Sequence, residues 1–155
     1  MIKIWSNFQI PHNVPTRLAE VGEKSYSHDS EGTDLYKASF VSGLRLSLNY
    51  LTRKLLRRLG IAISQLAPNT WRAFVGAQVL RGVMSDGWES LSLYEFLYYY
   101  KPLLVPLAKG VYYFKCRKKK YSLVTEIPSS NRDRKEKFFF ICSADCYVDQ
   151  RWLAL

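Results

Sequence analysis

Between residues 44 and 100 hydrophobic side chains recur at every third or fourth position, whereas after Pro102 they cluster in short aromatic and β-branched runs. The first spacing is that of amphipathic helices, and the second is typical of strands. Helices that precede strands, without alternating with them, favour an α+β domain over a parallel α/β fold. We therefore predict an α+β fold in which N-terminal helices are followed by a small antiparallel sheet.

Four helices are predicted from apolar spacing and end signals. They are expected at about residues 34–42, 44–59, 69–84 and 92–100. Gly60 supplies a stop for the second helix, because glycine readily adopts the left-handed conformation that ends many helices. Ser92 and Glu95 have the spacing of a capping box at the start of the fourth helix. Pro102 ends that helix, because the residue before a proline is pushed towards extended conformations.

Three strands are predicted in the second part of the chain. They are expected at about residues 111–116, 121–125 and 138–142, and an exposed turn would join the first two. Residues 1–33 combine proline, glycine and mixed charge without a sustained period, which predicts an irregular polar leader. The expected organisation is this leader, a single domain over residues 34–142 and a short tail over residues 143–155.

The periodic positions also predict which side chains are buried. The expected core residues are Leu55, Leu59, Trp71, Phe74 and Phe96. Three consecutive tyrosines, Tyr98, Tyr99 and Tyr100, cannot all face the same side of a helix. At least one of them is therefore expected at the surface, where it could belong to a partner contact.

Positive charge is concentrated in the later part of the chain. Residues 1–40 carry four Lys or Arg and five Asp or Glu, whereas residues 41–155 carry nineteen and eight. A basic protein attracts polyanions, because bound phosphates release their counterions. No apolar run approaches the roughly 18 residues of a membrane span, and no secretory signal is evident. We expect no membrane contact, reduced cysteines and a location in the nucleus or cytoplasm.

The chain shows no set of residues typical of an enzyme. A transposase-type nuclease needs three carboxylates that converge on two metal ions, whereas the acidic residues of the basic part fall in turns and near the end. Cys142 and Cys146 could supply half of a zinc site, but His12 and His28 lie far away in the leader. No aspartic-protease turn, histidine base or phosphate-binding glycine loop is apparent. We expect no catalysis, no metal, no cofactor and no small-molecule substrate.

One loop is the best candidate for a functional site. This basic loop consists of Lys115, Arg117, Lys118, Lys119 and Lys120. Its cations could neutralise phosphates while neighbouring aromatic rings stack on unpaired bases. Arg132, Arg134 and Lys135 would extend the surface if both strand connections lie at one end of the sheet. Two other interpretations remain open, a nuclear-import patch and a solvated hairpin tip, and the pattern favours the hairpin tip.

Five short motifs in a fixed order carry a resemblance to a known family. They are Leu55-Leu56 with Gly60-Ile-Ala, Gln65-Leu66-x-Pro68-Asn69-x-Trp71-Arg72, Glu95-Phe96 with Tyr100, Tyr112-x-Phe114, and Pro128-x-Ser130-Asn131-Arg132 with Phe138-Phe139-Phe140. From about Tyr36 to Cys142 the chain resembles the domain of plant proteins described as gypsy-type transposon proteins. One departure is Asp133-Arg134, where the family tends to have a tryptophan after the Ser-Asn-Arg/Lys motif.

The resemblance implies the leading domain of a longer element-encoded polypeptide, and that family offers no catalytic residues to carry over. We therefore predict a non-catalytic interaction or assembly module of a plant gypsy-type transposable element. Its expected partners are nucleic acid, bound weakly, and an element-encoded protein or a second copy of the chain. Two alternatives remain open, a relic open reading frame without activity and a transposase-like, metal-dependent nuclease.

Overall fold

The computed structural model describes residues 6–10, 14–18, 32–46, 48–106, 108, 110–118, 120, 122–123 and 138–142. Its elements in chain order are β1 (Thr16–Leu18), β2 (Gly32–Tyr36), α1 (Lys37–Val41), α2 (Tyr50–Leu59), a short 3₁₀ helix (Ile63–Gln65), α3 (Pro68–Met84), α4 (Leu93–Tyr99), β3 (Tyr100–Leu104), β4 (Tyr112–Cys116) and β5 (Phe138–Cys142). Helices combined with small antiparallel sheets confirm the predicted α+β fold. None of the described helices has the length and apolar composition needed to cross a membrane.

The strands form two antiparallel sheets, and the prediction of a single sheet is wrong. β5 lies between β1 and β2, whereas β3 and β4 pair with each other. The strands predicted at residues 111–116 and 138–142 both exist, as β4 and β5, but they belong to different sheets. Each pairs with a segment that was not predicted to be a strand. Strand propensity identifies a strand but not its partner, because partners can come from any distance along the chain.

The helix predicted at residues 34–42 begins only at Lys37. The residues before it form β2, which pairs along its whole length with β5, so that Leu35 lies opposite Phe139. Both of these side chains are buried in the core. The hydrogen bonds and packing that β5 provides therefore override the helical spacing of the local apolar residues.

The helix predicted at residues 44–59 is also shorter than expected, because α2 begins at Tyr50. Asn49 caps it, and the Asn49 Oδ1 atom accepts a hydrogen bond from the Thr52 N–H at 2.8 Å. The predicted stop at Gly60 is confirmed, since this residue is left-handed with φ of 64°. The Ile61 N–H then donates to the Leu56 carbonyl at 3.2 Å, as in a Schellman motif.

The polar leader is not irregular where the structure describes it. β1 pairs with β5 through Thr16 opposite Ile141 and Leu18 opposite Phe139. Ile10 and Val14, which precede the strand, are buried with the rest of the core. The apolar residues of this segment stand alone between polar residues and therefore show no period in the sequence. In the fold they nevertheless pair with β5 or pack in the core. The limits of the predicted domain stay a prediction.

The other two helices confirm their predicted positions. α3 covers Pro68–Met84 and α4 covers Leu93–Tyr99. At the start of α4 the Ser92 Oγ atom accepts a hydrogen bond from the Glu95 N–H at 3.1 Å, and the Glu95 carboxylate lies 3.6 Å from the Arg81 Nε atom. Of the predicted core residues, Leu55, Trp71, Phe74 and Phe96 are buried, and Leu59 is half-buried against them. α3 and α4 meet through Phe74 and Phe96, whose rings are perpendicular at 4.9 Å.

β3 follows α4 directly, at residues for which no strand was predicted. It pairs with β4 only, and Pro102 lies opposite Phe114. A strand with one partner tolerates a proline, because the missing N–H can fall on the unpaired side. The strand predicted at residues 121–125 is wrong at Ser122 and Leu123, which have no strand conformation, while residues 121, 124 and 125 lie outside the described residues. The Leu123 N–H donates instead to the Tyr100 hydroxyl at 3.1 Å.

Candidate nucleic-acid interface

The basic loop falls only partly within the described residues. Lys115, Arg117, Lys118 and Lys120 are described, and all four are exposed. Lys119, Arg132, Arg134 and Lys135 lie outside the described residues. Lys115 belongs to β4 and stands opposite Lys101 of β3, so two cations face each other across this sheet.

The described part of the loop does not lead into the expected hairpin, because Ser122 and Leu123 form no strand and Arg117 binds the end of α4. The Arg117 N–H donates to the Tyr99 carbonyl at 2.8 Å, and the Arg117 Nε atom donates to the Leu97 carbonyl at 3.2 Å. The last carbonyls of a helix carry its negative dipole end and lack partners within the helix. Arg117 therefore caps the C-terminus of α4, a structural role that needs no ligand.

Two of the three aromatic residues that precede the basic loop, Tyr112 and Phe114, pack against the core, whereas Tyr113 between them is half-buried outside it. Phe114 meets Phe96 with perpendicular rings at 4.9 Å, and Tyr112 is half-buried against the core. Rings held in this way are not available for stacking on bases beside the loop. Tyr121, on the other side of the loop, lies outside the described residues. On the N-terminal side of the loop, Tyr113 is thus the one described aromatic residue that does not pack against the core, and no cluster of exposed rings accompanies the cations there.

A different part of the molecule does combine cations with exposed aromatic rings. The groove between α2 and α4, which we call the α2–α4 groove, is lined by Tyr50, Arg53, Lys54, Arg57, Arg58, Leu93, Tyr94 and Leu97 and has a volume of about 650 Å³. Clefts that bind small molecules have volumes of roughly 300–1,000 Å³. The groove can therefore receive a group of the size of one or two nucleotides.

The sequence of α2 explains why this groove is basic. The helix buries Leu55 and Leu56, while four basic residues among its ten project away from the core and no acidic residue accompanies them. Like charges four positions apart, such as Lys54 and Arg58, destabilise a helix by roughly 0.2–0.5 kcal/mol per pair. Only the basic residues in the last turn gain from the helix dipole. The helix thus carries more positive charge than its own stability favours.

Lys54 connects the two walls of the groove. Its Nζ atom lies 5.7 Å from the ring centre of Tyr50 on α2 and 5.9 Å from that of Tyr94 on α4. These distances are within the range of cation–π attraction. In the described part of the chain, no acidic side chain lies within ion-pair distance of Arg53, Lys54 or Arg58. These three charges are therefore accessible to solvent and to ligands.

The described carboxylates are arranged differently from a metal centre. Glu89 and Glu95 both form ion pairs with Arg81, and Asp86 is exposed in the turn after α3. Within the described ranges, no group of three or more His, Cys, Asp or Glu side chains comes together as a metal site would require. Arg81 thus joins the end of α3 to the start of α4 through two acidic partners.

The end of α3 presents apolar side chains to solvent. Val83, Met84 and Trp88 are all exposed, and Trp88 is 89% exposed. Ser85 holds the turn between them, since its Oγ atom accepts a hydrogen bond from the Glu89 N–H at 3.0 Å. The last turn of α3 therefore lies at the surface, whereas Trp71 and Phe74 in its first turns are buried.

The consecutive tyrosines behave as predicted. Tyr100 is buried, Tyr99 is half-buried and Tyr98 is exposed. Tyr98 lies on the same face of α4 as Tyr94, one turn further along. Sequence reasoning did not single out Tyr94 or the basic residues of α2. A run of four cations without an acidic residue in ten positions was a usable signal, whereas nothing in the sequence placed Tyr94 beside Lys54.

Comparisons of the chain with protein-family models, with curated proteins and with solved structures each found no match. The resemblance to gypsy-type transposon proteins therefore stays a prediction based on its five motifs.

Proposed function

We propose that this chain is a non-catalytic nucleic-acid-binding module of a gypsy-type transposable-element polypeptide, and that the α2–α4 groove holds the phosphate backbone. The observation that carries the binding proposal is the meeting of four cations and two exposed tyrosines in one groove of about 650 Å³. The order of the five motifs supports the assignment to a transposable element. A location in the nucleus or cytoplasm, where nucleic acid is available, is part of the same proposal.

Charge provides most of the expected binding free energy. Each phosphate that a Lys or Arg neutralises releases condensed counterions, so affinity falls as salt concentration rises. For a single strand the log–log slope is about −0.7 per phosphate contact, and three contacts would give a slope near −2. Binding also relieves the repulsion among the like charges of α2. Added polyanion is therefore expected to stabilise the folded protein as well as to bind it.

Two variants with equal loss of charge test the site. The groove variant combines Arg53→Ala, Lys54→Ala and Arg58→Ala, and the loop variant replaces residues 118–120 by alanine. Binding of a fluorescent oligothymidine is measured by anisotropy across a salt series. The groove variant should bind weakly and show a flatter salt slope, whereas the loop variant should bind like the parent.

The same measurements define the results that would contradict the proposal. Affinity that is lost in the loop variant and kept in the groove variant would assign binding to the basic loop. An equal, partial loss in both would indicate attraction to the overall charge of the protein. A parent protein that binds no oligonucleotide at low salt would refute nucleic-acid binding altogether.

A further inference from the structure

We infer that the α2–α4 groove selects single-stranded over double-stranded nucleic acid, because unpaired bases stack on Tyr50 and Tyr94 beside phosphates held by the cations of α2. The inference rests on the proposed function and names its substrate class. It depends on the position and exposure of the tyrosine rings, which a site for phosphates alone would not need.

The rings are open to solvent on both walls of the groove. Tyr50 is 71% exposed and Tyr94 is 80% exposed, although the groove that they line also includes the buried Leu93 and the half-buried Leu97. Neither ring fills space in the core. An aromatic ring left at the surface next to a cluster of cations is the arrangement found in proteins that bind single strands, where each base stacks on a ring.

The spacing along α4 suits bases that are not stacked on one another. Tyr94 and Tyr98 are four residues apart on one exposed face, and Tyr98 is 73% exposed. Four residues of helix rise by about 6 Å. Neighbouring bases within a duplex strand are separated by only about 3.4 Å. A flexible single strand can open to the wider spacing, whereas a base-paired strand cannot do so without breaking its own stacking.

Lys54 places a positive charge close to each ring. Its Nζ atom lies within 6 Å of both ring centres in the groove. A nucleotide carries its phosphate and its base on the same sugar, so a cation next to a ring matches both groups at once. A duplex covers the faces of its bases and would use the cations alone. An acidic peptide would likewise gain nothing from the rings.

Three probes of equal length test the inference on the intact chain. They are oligothymidine, an abasic oligonucleotide with the same backbone, and a duplex. The parent protein should bind oligothymidine at least about 5-fold more tightly than the abasic probe for each ring that stacks. The duplex should bind no better than the abasic probe once affinities are compared per phosphate.

Two double variants identify the rings as the cause. Tyr50→Leu with Tyr94→Leu should remove most of the preference for oligothymidine over the abasic probe, leaving only what Tyr98 contributes. The salt slope should be unchanged because the phosphate contacts remain. Tyr50→Phe with Tyr94→Phe keeps both rings and should bind like the parent. Both positions are exposed, so the parent and the two double variants should have similar melting temperatures. The comparison of the three probes uses the parent protein alone and does not depend on how the variants fold.

The outcomes separate this inference from the proposed function. The inference would be overturned if the parent bound oligothymidine and the abasic probe equally well, or if it bound the duplex more tightly. The proposed phosphate site would not be affected by either result, because the groove variant tests it separately. A preference for oligothymidine that is undiminished in the leucine variant would overturn it as well. Retention of all binding in the groove variant would overturn the proposed function, and with it the inference.

Discussion

Trp71 offers the sharpest test of how the core is built. The side chain lies on α3, is 1% exposed and packs its ring at 6.5 Å from the ring of Phe74. The Trp71 Nε1 atom is also buried, and it has no hydrogen-bond partner in the part of the chain that the structure describes. The indole thus contributes a large apolar surface to the core and, at one atom, a polar group that has lost its contact with water.

These two contributions have opposite effects on the free energy of unfolding. Trp71→Ala removes a buried aromatic side chain and should cost roughly 3–5 kcal/mol, a large share of the roughly 5–15 kcal/mol by which a domain is typically stable. Trp71→Phe leaves a smaller gap and removes the unpartnered N–H, whose burial costs about 1–3 kcal/mol. The phenylalanine variant should therefore lose less than half as much stability as the alanine variant.

Urea unfolding followed by far-UV circular dichroism measures both variants, with Trp88→Ala as the control. Trp88 is 89% exposed, so its loss should change stability by no more than about 0.5 kcal/mol. An alanine variant at Trp71 that unfolds with the midpoint of the parent would show that α3 does not bury this face. Equal losses for the alanine and phenylalanine variants would contradict both the smaller gap and the benefit of removing an unpartnered N–H.

Three further predictions follow from the fold and the groove. Deletion of residues 1–18 should lower the melting temperature, because it removes β1 and two buried residues of the core, and a deletion that melts like the parent would contradict the pairing of β1 with β5. Asn49→Ala should lower the free energy of unfolding in urea by about 1 kcal/mol, because α2 loses its N-cap. Asn49→Asp keeps a side-chain oxygen for the cap and should unfold nearly like the parent. Lys54→Glu introduces one negative charge, which lies three positions before Arg57 and four before Arg58 and attracts both. The free energy of unfolding should therefore stay within about 1 kcal/mol of that of the parent. The same change should abolish oligothymidine binding by anisotropy, and unchanged binding would argue against the groove.

Local interactions explain the features that could be predicted from the sequence. α3 and α4 appear at their expected positions because their apolar spacing and their end signals act within a few residues. Ser92 caps α4 and Gly60 ends α2 for the same reason, since a cap or a left-handed glycine depends on its nearest neighbours along the chain. The burial of Trp71 and Phe74 also follows from the period of a single helix.

Strand pairing, the course of the N-terminal segment and the groove depend on residues far apart in the sequence. β5 pairs with β1 and β2, from which it is separated by about a hundred residues, and that pairing converts part of a predicted helix into strand. Tyr94 reaches Lys54 only because α4 packs beside α2. Local spacing shows that α2 has a basic face, but the contacts between helices place an aromatic wall opposite it, and the ligand site exists only where both are present.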